Sequence, residues 1–186
     1  MTIGFAMCGS FCTFHQVFPV MELLSRDYTL IPIFSEASHT VCSRFGIASE
    51  HIRAASEICG QEPLHTIAQV EPIGPKKLLD ALIIAPCTGN TLAKLAHSIA
   101  DGPVTMAAKS HLRNGRPILI AVSTNDALAG AAENIGKLMA RKNIYFVPFG
   151  QDDPVKKPTS MVADFTRIPQ TLEAALEGRQ IQPILL

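Results

Sequence analysis

Small hydroxyl and amide side chains recur in four turns of the chain, each directly after a short apolar run. The first turn contains Gly9 and Ser10, the second begins at Ser35, the third spans 86–91, and the fourth spans 123–126, from Ser123 to Asp126. Hydroxyls and free backbone amides at the start of a helix favour an anion such as phosphate. Neutral amides and hydroxyls suit the edge of a heteroaromatic ring. Singly, the first two turns also fit ordinary helix caps, but the four together predict a pocket for a phosphorylated aromatic cofactor.

The elements that position these turns alternate between apolar runs and helical patterns. Ala81–Ala85 is apolar throughout, as a strand covered on both faces requires. The pattern predicts four further strands (Thr2–Met7, Tyr28–Phe34, Pro117–Val122, Ile144–Val147) and five helices (Phe14–Ser25, Ala37–Phe45, Thr91–Ile99, Ala127–Ala140, Thr171–Leu176). The polar stretch Glu50–Lys77 is expected to be a long loop with a short helix. Alternation of this kind predicts an α/β fold with a parallel sheet, which binds ligands beyond the carboxyl ends of its strands.

The composition is that of a well-filled globular domain, with 47% hydrophobic and 17% charged residues. Lys and Arg together number 16 and balance 16 Asp and Glu. This charge balance does not indicate binding to nucleic acid or to an anionic membrane. No apolar run approaches the roughly 18 residues of a membrane span, and the apolar amino terminus is expected to be a strand rather than a signal peptide. Five unevenly spaced cysteines favour a reducing, cytoplasmic compartment.

Ala85–Asp101, with the sequence APCTGNTLAKLAHSIAD, resembles the P-x-S-x-N-T signature of homo-oligomeric, FMN-binding flavoproteins, which include cysteine decarboxylases and flavin prenyltransferases. The stretches EPIGPKKLLDALIIAP, AVSTNDALAG and LMARKNIYFVPFGQDDPVKKPTSMVA are similar, more specifically, to the B-subunit family of dipicolinate synthases. This similarity covers almost the whole chain. It implies a three-layer α/β/α fold with a doubly wound parallel sheet of Rossmann or flavodoxin type, in a single domain over residues 1–186.

The resemblance also implies an FMN cofactor and assigns its contacts by motif. The phosphate contacts are assigned to Gly9, Ser10 and Ser35. The contacts with the ring and ribityl chain are assigned to Pro86, Thr88, Gly89, Asn90, Thr91, Ser123 and Asn125. Thr88 and Gly89 stand where the signature usually has Ser and Ala. The first change keeps the hydroxyl group, and the second removes only a methyl group.

The activity implied by the family is the oxidation of dihydrodipicolinate, a small dicarboxylate, to aromatic dipicolinate in the cytoplasm of the mother cell of a sporulating bacterium. The family works with the A subunit of dipicolinate synthase, which resembles an NAD(P)-dependent dehydrogenase. It also implies self-assembly, as a trimer or a multiple of one, with flavin near the contacts between copies. The segment around 148–168 resembles a flap that closes over the cofactor or docks the A subunit.

One departure from the flavoprotein pattern restricts the chemistry. The cysteine decarboxylases carry a catalytic His fourteen residues before the signature Pro, and here that position is Pro72. No imidazole can act there, and nothing in the spacing brings His65 to the same place, so no catalytic residue is assigned. Two hypotheses remain: an enzyme subunit with a working flavin, or a non-catalytic scaffold for the A subunit. A stand-alone decarboxylase or prenyltransferase would need turnover without that second protein.

A dicarboxylate substrate requires cationic partners, for which guanidinium groups are well suited. The candidates are Lys109, Arg113, Arg116, Lys156 and Lys157, and the alternative for each is a solvated basic surface.

Cys8, Cys12 and His15 could form part of a metal site, but a fourth ligand at zinc spacing is missing, so no metal is predicted. Cys87 is expected to be a small packing residue rather than a reactive thiol. His97 and His111 are expected at the surface or at helix ends.

Overall fold

The computed structural model describes residues 1–186 and contains seven strands and eight helices. The strands are β1 (Thr2–Met7), β2 (Thr29–Phe34), β3 (Ala81–Cys87), β4 (Ile118–Thr124), β5 (Ile144–Phe146), β6 (Phe149–Gln151) and β7 (Met161–Ala163). The helices are α1 (Phe14–Ser25), α2 (Glu36–Thr40), α3 (Ala48–Cys59), α4 (Ile67–Val70), α5 (Gly89–Ala96), α6 (Pro103–Leu112), α7 (Ala132–Met139) and α8 (Ile168–Leu176).

Five strands run parallel in the order β2-β1-β3-β4-β5, which is the flavodoxin-like arrangement. The chain leaves β1 towards β2 and then returns past β1 to form β3. This reversal makes a topological switch point between β1 and β3, where sheets of this kind bind ligands beyond their carboxyl ends.

The burial pattern explains why these segments form a covered sheet. All seven residues of β3 are buried, and because alternate side chains of a strand point to opposite faces, helices must cover both faces. Helix α1 buries Val17, Val20, Met21 and Leu24 along one stripe. Each such side chain contributes about 1.5–3 kcal/mol when fully buried.

The sheet is mixed rather than wholly parallel, which corrects the sequence prediction. Strand β7 pairs antiparallel with the end of β4, where Ser123 faces Val162, and β6 pairs antiparallel with β7. The carboxyl-terminal residues also reach this edge, because Phe149 donates its N–H to the carbonyl of Ile184 at 3.1 Å. The segment after β5 is therefore attached to the same end of the sheet as the four polar turns.

The five predicted parallel strands are confirmed, but several helix predictions need correction. The helix expected over Ala37–Phe45 ends at Thr40, and the helix expected over Ala127–Ala140 begins at Ala132. Glu50–Lys77 holds most of α3 and all of α4 rather than a long loop, and α6 was not predicted. The other two helices are shifted at their starts, to Gly89 and Ile168.

None of the eight helices combines the length and the apolar composition that crossing a membrane requires.

Candidate functional site

The four polar turns lie at the carboxyl edge of the sheet, around the switch point. The turns after β1 and β3 are joined directly, because the N–H of Cys8 donates to the carbonyl of Pro86 at 3.2 Å. Two adjoining clefts open there, of about 540 Å³ and about 810 Å³, and Gly9, Thr88 and Asn90 line both. Clefts of this size accommodate a cofactor or a substrate-sized molecule.

The larger cleft crosses the end of β3. The hydroxyls of Ser10 and Ser123 are hydrogen-bonded at 2.7 Å, so the turn after β1 reaches the end of β4 over the strand between them. Below this bridge, the hydroxyl of Thr91 donates to the sulfur of Cys8 at 3.3 Å. The hydroxyl of Thr88 caps α5 by accepting the N–H of Thr91. These contacts fix the turns to one another.

The smaller cleft is bounded by the start of α2. Ser35 caps this helix by accepting the N–H of Ser38, and the buried hydroxyl of Ser38 donates to the carbonyl of Met7 at 2.8 Å. A Cβ added to Gly9 would lie 3.2 Å from the Cβ of Ala37. The turn after β1 therefore packs tightly against α2, and glycine permits that approach.

The structure brings nine of the ten sequence-predicted site residues into the cleft walls. They are Gly9, Ser10, Ser35, Thr88, Gly89, Asn90, Thr91, Ser123 and Asn125. Pro86 differs, because it is buried in β3 behind the clefts and lines neither of them.

Asp126 and Thr124 are site residues that the sequence did not single out. A Cβ on Gly89 would lie 2.7 Å from the Oδ1 of Asp126 and 2.8 Å from the Oγ1 of Thr124. The hydroxyl of Thr124 donates to the carboxylate of Asp126 at 2.5 Å. Both residues belong to the fourth polar turn, so that position in the sequence was the available signal.

Two ion pairs lie in the cleft walls. Lys94 and Asp101 meet at 2.9 Å in the smaller cleft, and the hydrogen bond from Lys94 lowers the pKa of Asp101. Lys157 and Asp152 meet at 2.8 Å in the larger cleft. Burial acts to raise the pKa of Asp152, but hydrogen bonds from Lys157 and Ser160 outweigh it and the pKa is lowered.

Most of the predicted carboxylate-binding cations lie elsewhere. Arg116 lies away from the clefts, at the amino-terminal end of β3, where its guanidinium donates to the carbonyls of Lys77 and Leu79 and pairs with Asp80.

Two more of these cations belong to another region of the molecule. Lys109 and Arg113 line a separate cavity of about 380 Å³ together with Arg141. Lys156 lines neither cleft, so Lys157 is the one candidate cation that lies in a cleft wall. Arg44 is a further cation of the larger cleft, and the sequence did not indicate it.

Two buried cysteines, at the ends of β1 and β3, are packing residues. Cys8 and Cys87 are buried, and burial raises the pKa of the Cys8 thiol to about 11 and the pKa of Cys87 well above its ordinary value. Both are therefore neutral thiols near neutral pH. Cys12 is exposed, and no three His, Cys, Asp or Glu side chains are grouped to hold a metal ion.

The histidines lie outside the cleft walls. Pro72 lies in a short 3-10 turn against α6, and the ring of His65 stacks on that of His39 with centroids 3.9 Å apart. His97 is exposed at the end of α5, as expected. His111 lies in the last turn of α6, which is one of the two expected places, and it is fully buried there.

The flavodoxin-like sheet with a polar cleft at its switch point places the chain in the class of doubly wound α/β proteins. The chain belongs to the flavoprotein family, whose model matches residues 1–173.

Within that family the chain is 46% identical to the B subunit of dipicolinate synthase from Bacillus subtilis (strain 168), over 99% of this chain and 92% of the relative. It is also similar to the crystal structure of the corresponding B subunit from Bacillus halodurans, with 45% identity and a TM-score of 0.91, over 100% of this chain and 95% of that one. The FMN-dependent cysteine decarboxylase SpaF has the same fold, with a TM-score of 0.69, 20% identity and 95% coverage of both chains.

Proposed function

We propose that this chain is the FMN-binding B subunit of a dipicolinate synthase, which acts with an A subunit to oxidise dihydrodipicolinate to dipicolinate. The observation that carries the proposal is the convergence of nine neutral, cofactor-type residues on one pair of clefts at the switch point. The 46% identity to a B subunit over nearly the whole chain supports the choice of reaction.

The chemistry of the clefts fits the ring of FMN. The side-chain amides of Asn90 and Asn125 are exposed at the ends of β3 and β4 and form no hydrogen bond within the chain. An amide can donate and accept, as the polar edge of a flavin ring requires. We assign the ring edge and ribityl hydroxyls to these amides, to Thr88 and Thr91, and to Ser123. Ser10, which the resemblance assigns to the phosphate, joins this group because it lines the larger cleft and is hydrogen-bonded to Ser123.

The phosphate fits the side of the site formed by the turn after β1 and the start of α2. Gly9 brings backbone to the cleft surface without a side chain, and Ser35 presents a hydroxyl beside it. Lys94 lies in the same cleft. Backbone amides and hydroxyls of this kind bind phosphate through hydrogen bonds rather than through a single ion pair.

Oxidation of the dihydro ring removes two electrons and two protons, and bound FMN supplies a two-electron acceptor. The residues of this chain would orient the ring, cover it and exclude water. The acceptor of the two electrons would be either FMN held by these residues or the NAD(P) of the A subunit. No side chain of this chain is assigned as the base.

The proposal extends to the assembly and its setting. The chain would associate with itself, as a trimer or a multiple of one, and with the dehydrogenase-like A subunit, in the cytoplasm of the mother cell of a sporulating bacterium. The segment around 148–168 serves as the flap or docking element. It is suited to this because Asp152, Lys157 and Ser160 already border the larger cleft.

A second candidate is a scaffold that stabilises the A subunit without redox chemistry of its own. Pro72 in place of the decarboxylase His, and the altered signature at Thr88 and Gly89, favour it. A third candidate, a stand-alone decarboxylase or prenyltransferase, requires product from this chain alone.

The test is flavin binding by wild-type protein and by Asn90→Ala, read from visible absorbance after dialysis against buffer. Wild-type protein should retain close to one FMN per chain. The variant should bind FMN about tenfold more weakly, the effect of one lost hydrogen bond. At limiting flavin it should make up to about tenfold less dipicolinate with the A subunit, although the complex still forms.

Gln170→Ala is the matched control, because Gln170 is an exposed amide on α8 away from the clefts. Colourless wild-type protein that takes up no FMN, even with the A subunit present, would favour the scaffold. Full activity of the Asn90→Ala complex would remove the cofactor role from this site.

A further inference from the structure

A tight turn projects into the larger cleft between α2 and α3. The N–H of Ser43 donates to the carbonyl of Gly46 at 3.0 Å, and the N–H of Gly46 donates to the carbonyl of Ser43 at 3.2 Å. Arg44 and Phe45 are therefore the two central residues at the tip. This four-residue unit, Ser43–Gly46, is referred to below as the Arg44 turn.

The base of the Arg44 turn is fixed by a buried ring. Gly46 has φ +134°, and a Cβ there would lie 2.7 Å from the Cε1 of His51. His51 is buried on α3 and meets the ring of Phe14 edge-on, with centroids 4.8 Å apart. Phe11, in the turn after β1, stacks on His51 at 6.5 Å. The aromatic cluster thus ties the position of the Arg44 turn to the cofactor side of the cleft.

Arg44 is the cation of this cleft without a partner inside the chain. Four charged residues line the cleft: Arg44, Asp126, Asp152 and Lys157. Asp152 is paired with Lys157, and Asp126 accepts the hydroxyl of Thr124. Arg44 takes part in none of the ion pairs of the chain, and its guanidinium lies 4.8 Å from the centroid of its neighbour Phe45.

Phe45 gives the same tip a flat apolar surface. It is 46% exposed, although an aromatic side chain of this size is usually covered. It lines the same cleft as Ser10, Ser123 and Asn125. A planar ring that enters the cleft would therefore meet an aromatic face beside a guanidinium fork.

We propose that the Arg44 turn is the substrate-binding element: Arg44 binds one carboxylate of a planar heterocyclic dicarboxylate, and Phe45 packs against its ring. A guanidinium matches a carboxylate with two parallel hydrogen bonds, and a ring-on-ring contact orients the plane of the ligand. The identity of the substrate rests on the proposed function. The recognition of a planar carboxylate rests on the geometry of the cleft.

The experiment titrates dipicolinate into the flavin-loaded protein, with and without the A subunit, by isothermal calorimetry. Arg44→Ala should keep its flavin and bind dipicolinate about 10- to 100-fold more weakly, the range for a lost charge-assisted hydrogen-bonded pair. Arg44→Lys should be intermediate, because it keeps the charge but loses the fork. In turnover, Arg44→Ala should raise KM for the dihydro substrate more than it lowers kcat.

Arg53→Ala is the matched control, since Arg53 is an exposed arginine on α3 that pairs with Glu57 at 3.9 Å on the surface. Equal losses in both variants would mean a general charge effect and overturn the assignment. Flavin-loaded wild-type protein that binds no dipicolinate, or Arg44→Ala that binds it normally, would also overturn it while leaving flavin binding intact.

Failure of the proposed function gives a different result. In that case the protein would bind no flavin, but its affinity for dipicolinate would still fall on Arg44→Ala. The Arg44 turn would then stand as a carboxylate site, and the proposal of an FMN cofactor would be wrong.

Discussion

At Gly89, the space that a methyl group would fill is already occupied by two side chains of the turn after β4. The Oδ1 of Asp126 and the Oγ1 of Thr124 lie within 2.7 and 2.8 Å of where a Cβ would stand. By resemblance alone, Gly in place of the usual Ala removes only a methyl group. The structure shows that the change is matched by a hydrogen-bonded pair that fills the gap, so Gly89 and Asp126 act together.

Gly89→Ala should therefore destabilise the fold by about 1–3 kcal/mol, the usual effect of overpacking. In an Asp126→Ala background most of that cost should disappear, because Thr124 is then free to rotate away. The measurement is denaturant unfolding of the two single variants and the double variant.

Gly136→Ala is the control for the same chemical change. It lies within α7 with nothing within 4 Å of an added Cβ, so alanine should stabilise the fold by about 0.5–1 kcal/mol. If Gly89→Ala is as favourable as Gly136→Ala, the contact with Asp126 is not a constraint.

At the scale of the element, α6 shows how a buried histidine joins a helix to the sheet. His111 is fully buried, its Nε2 lies 3.0 Å from the carbonyl of Pro117 just before β4, and its Nδ1 has no partner. Burial, aided by nearby Arg116, lowers the pKa of His111 to about 4. The neutral ring is the folded form, because protonation would place an unpaired donor and a charge in the core.

The unfolded chain protonates His111 near its ordinary pKa of about 6.5, so it binds more protons than the fold between that pH and about 4. This part of the stability is fully present above about pH 6.5 and is lost as the pH falls towards 4, by up to about 3 kcal/mol. His111→Gln keeps an amide that can donate to Pro117 and should flatten the stability profile over this window. The measurement is chemical unfolding across pH 4–8.

His15→Gln, on the exposed side of α1, should leave the shape of that profile unchanged. His39 and His51 also have pKa values lowered first by burial, so the His111 variant should flatten the profile only in part. An unchanged profile in His111→Gln would mean that the ring is hydrated in solution.

The elements that the sequence predicted well are those whose pattern depends on burial alone. Strand β1 and helix α1 match their predicted bounds, because an apolar run and an apolar stripe directly record what the core requires. Helix α3 was missed because it packs with few apolar residues, among which Ala48 and Ala55 are small. The extension of α2 to Phe45 was wrong because the pattern did not reveal the turn that Gly46 makes at positive φ.

The site residues also divide into those that the sequence pattern locates and those that only tertiary contacts locate. Its turns could be located because a parallel sheet places every strand-to-helix turn at one edge. Arg44 could not be found, because its place in the cleft depends on a tertiary contact between Gly46 and His51.

At the scale of the whole molecule, the direction of α6 explains why the candidate cations Lys109, Arg113 and Arg116 lie away from the two clefts. The helix starts at the smaller cleft, where Pro103 and Thr105 form part of the wall. It then runs away from the carboxyl edge, so Arg116 emerges at the opposite end of the sheet beside Asp80. Cations that are close in sequence to a site residue are thus separated from the site by the length of the helix, about 15 Å.

The five free thiols are distributed over the molecule, so the rate at which each is labelled tests both the fold and the site. Cys12 and Cys42 are exposed and should react with a thiol reagent within the mixing time at pH 8. Cys8 and Cys87 are buried with raised pKa values, so they should react only when the sheet edge opens. Cys59, half-buried with a pKa raised by burial to about 12, should fall between these classes.

Added FMN separates the site from the rest of the fold in the same experiment. Cys12 lines the larger cleft and Cys8 the smaller one, whereas Cys42 lines neither. A ligand at about 100 times its Kd reduces the open population about 100-fold, so labelling of Cys8 and Cys87 should slow by that factor. Cys12 should be shielded and Cys42 should be unaffected. If Cys8 labels as fast as Cys12 without FMN, the β1–β3 junction is open in solution. If FMN slows Cys42 as much as Cys12, the protection does not come from a ligand in the two clefts.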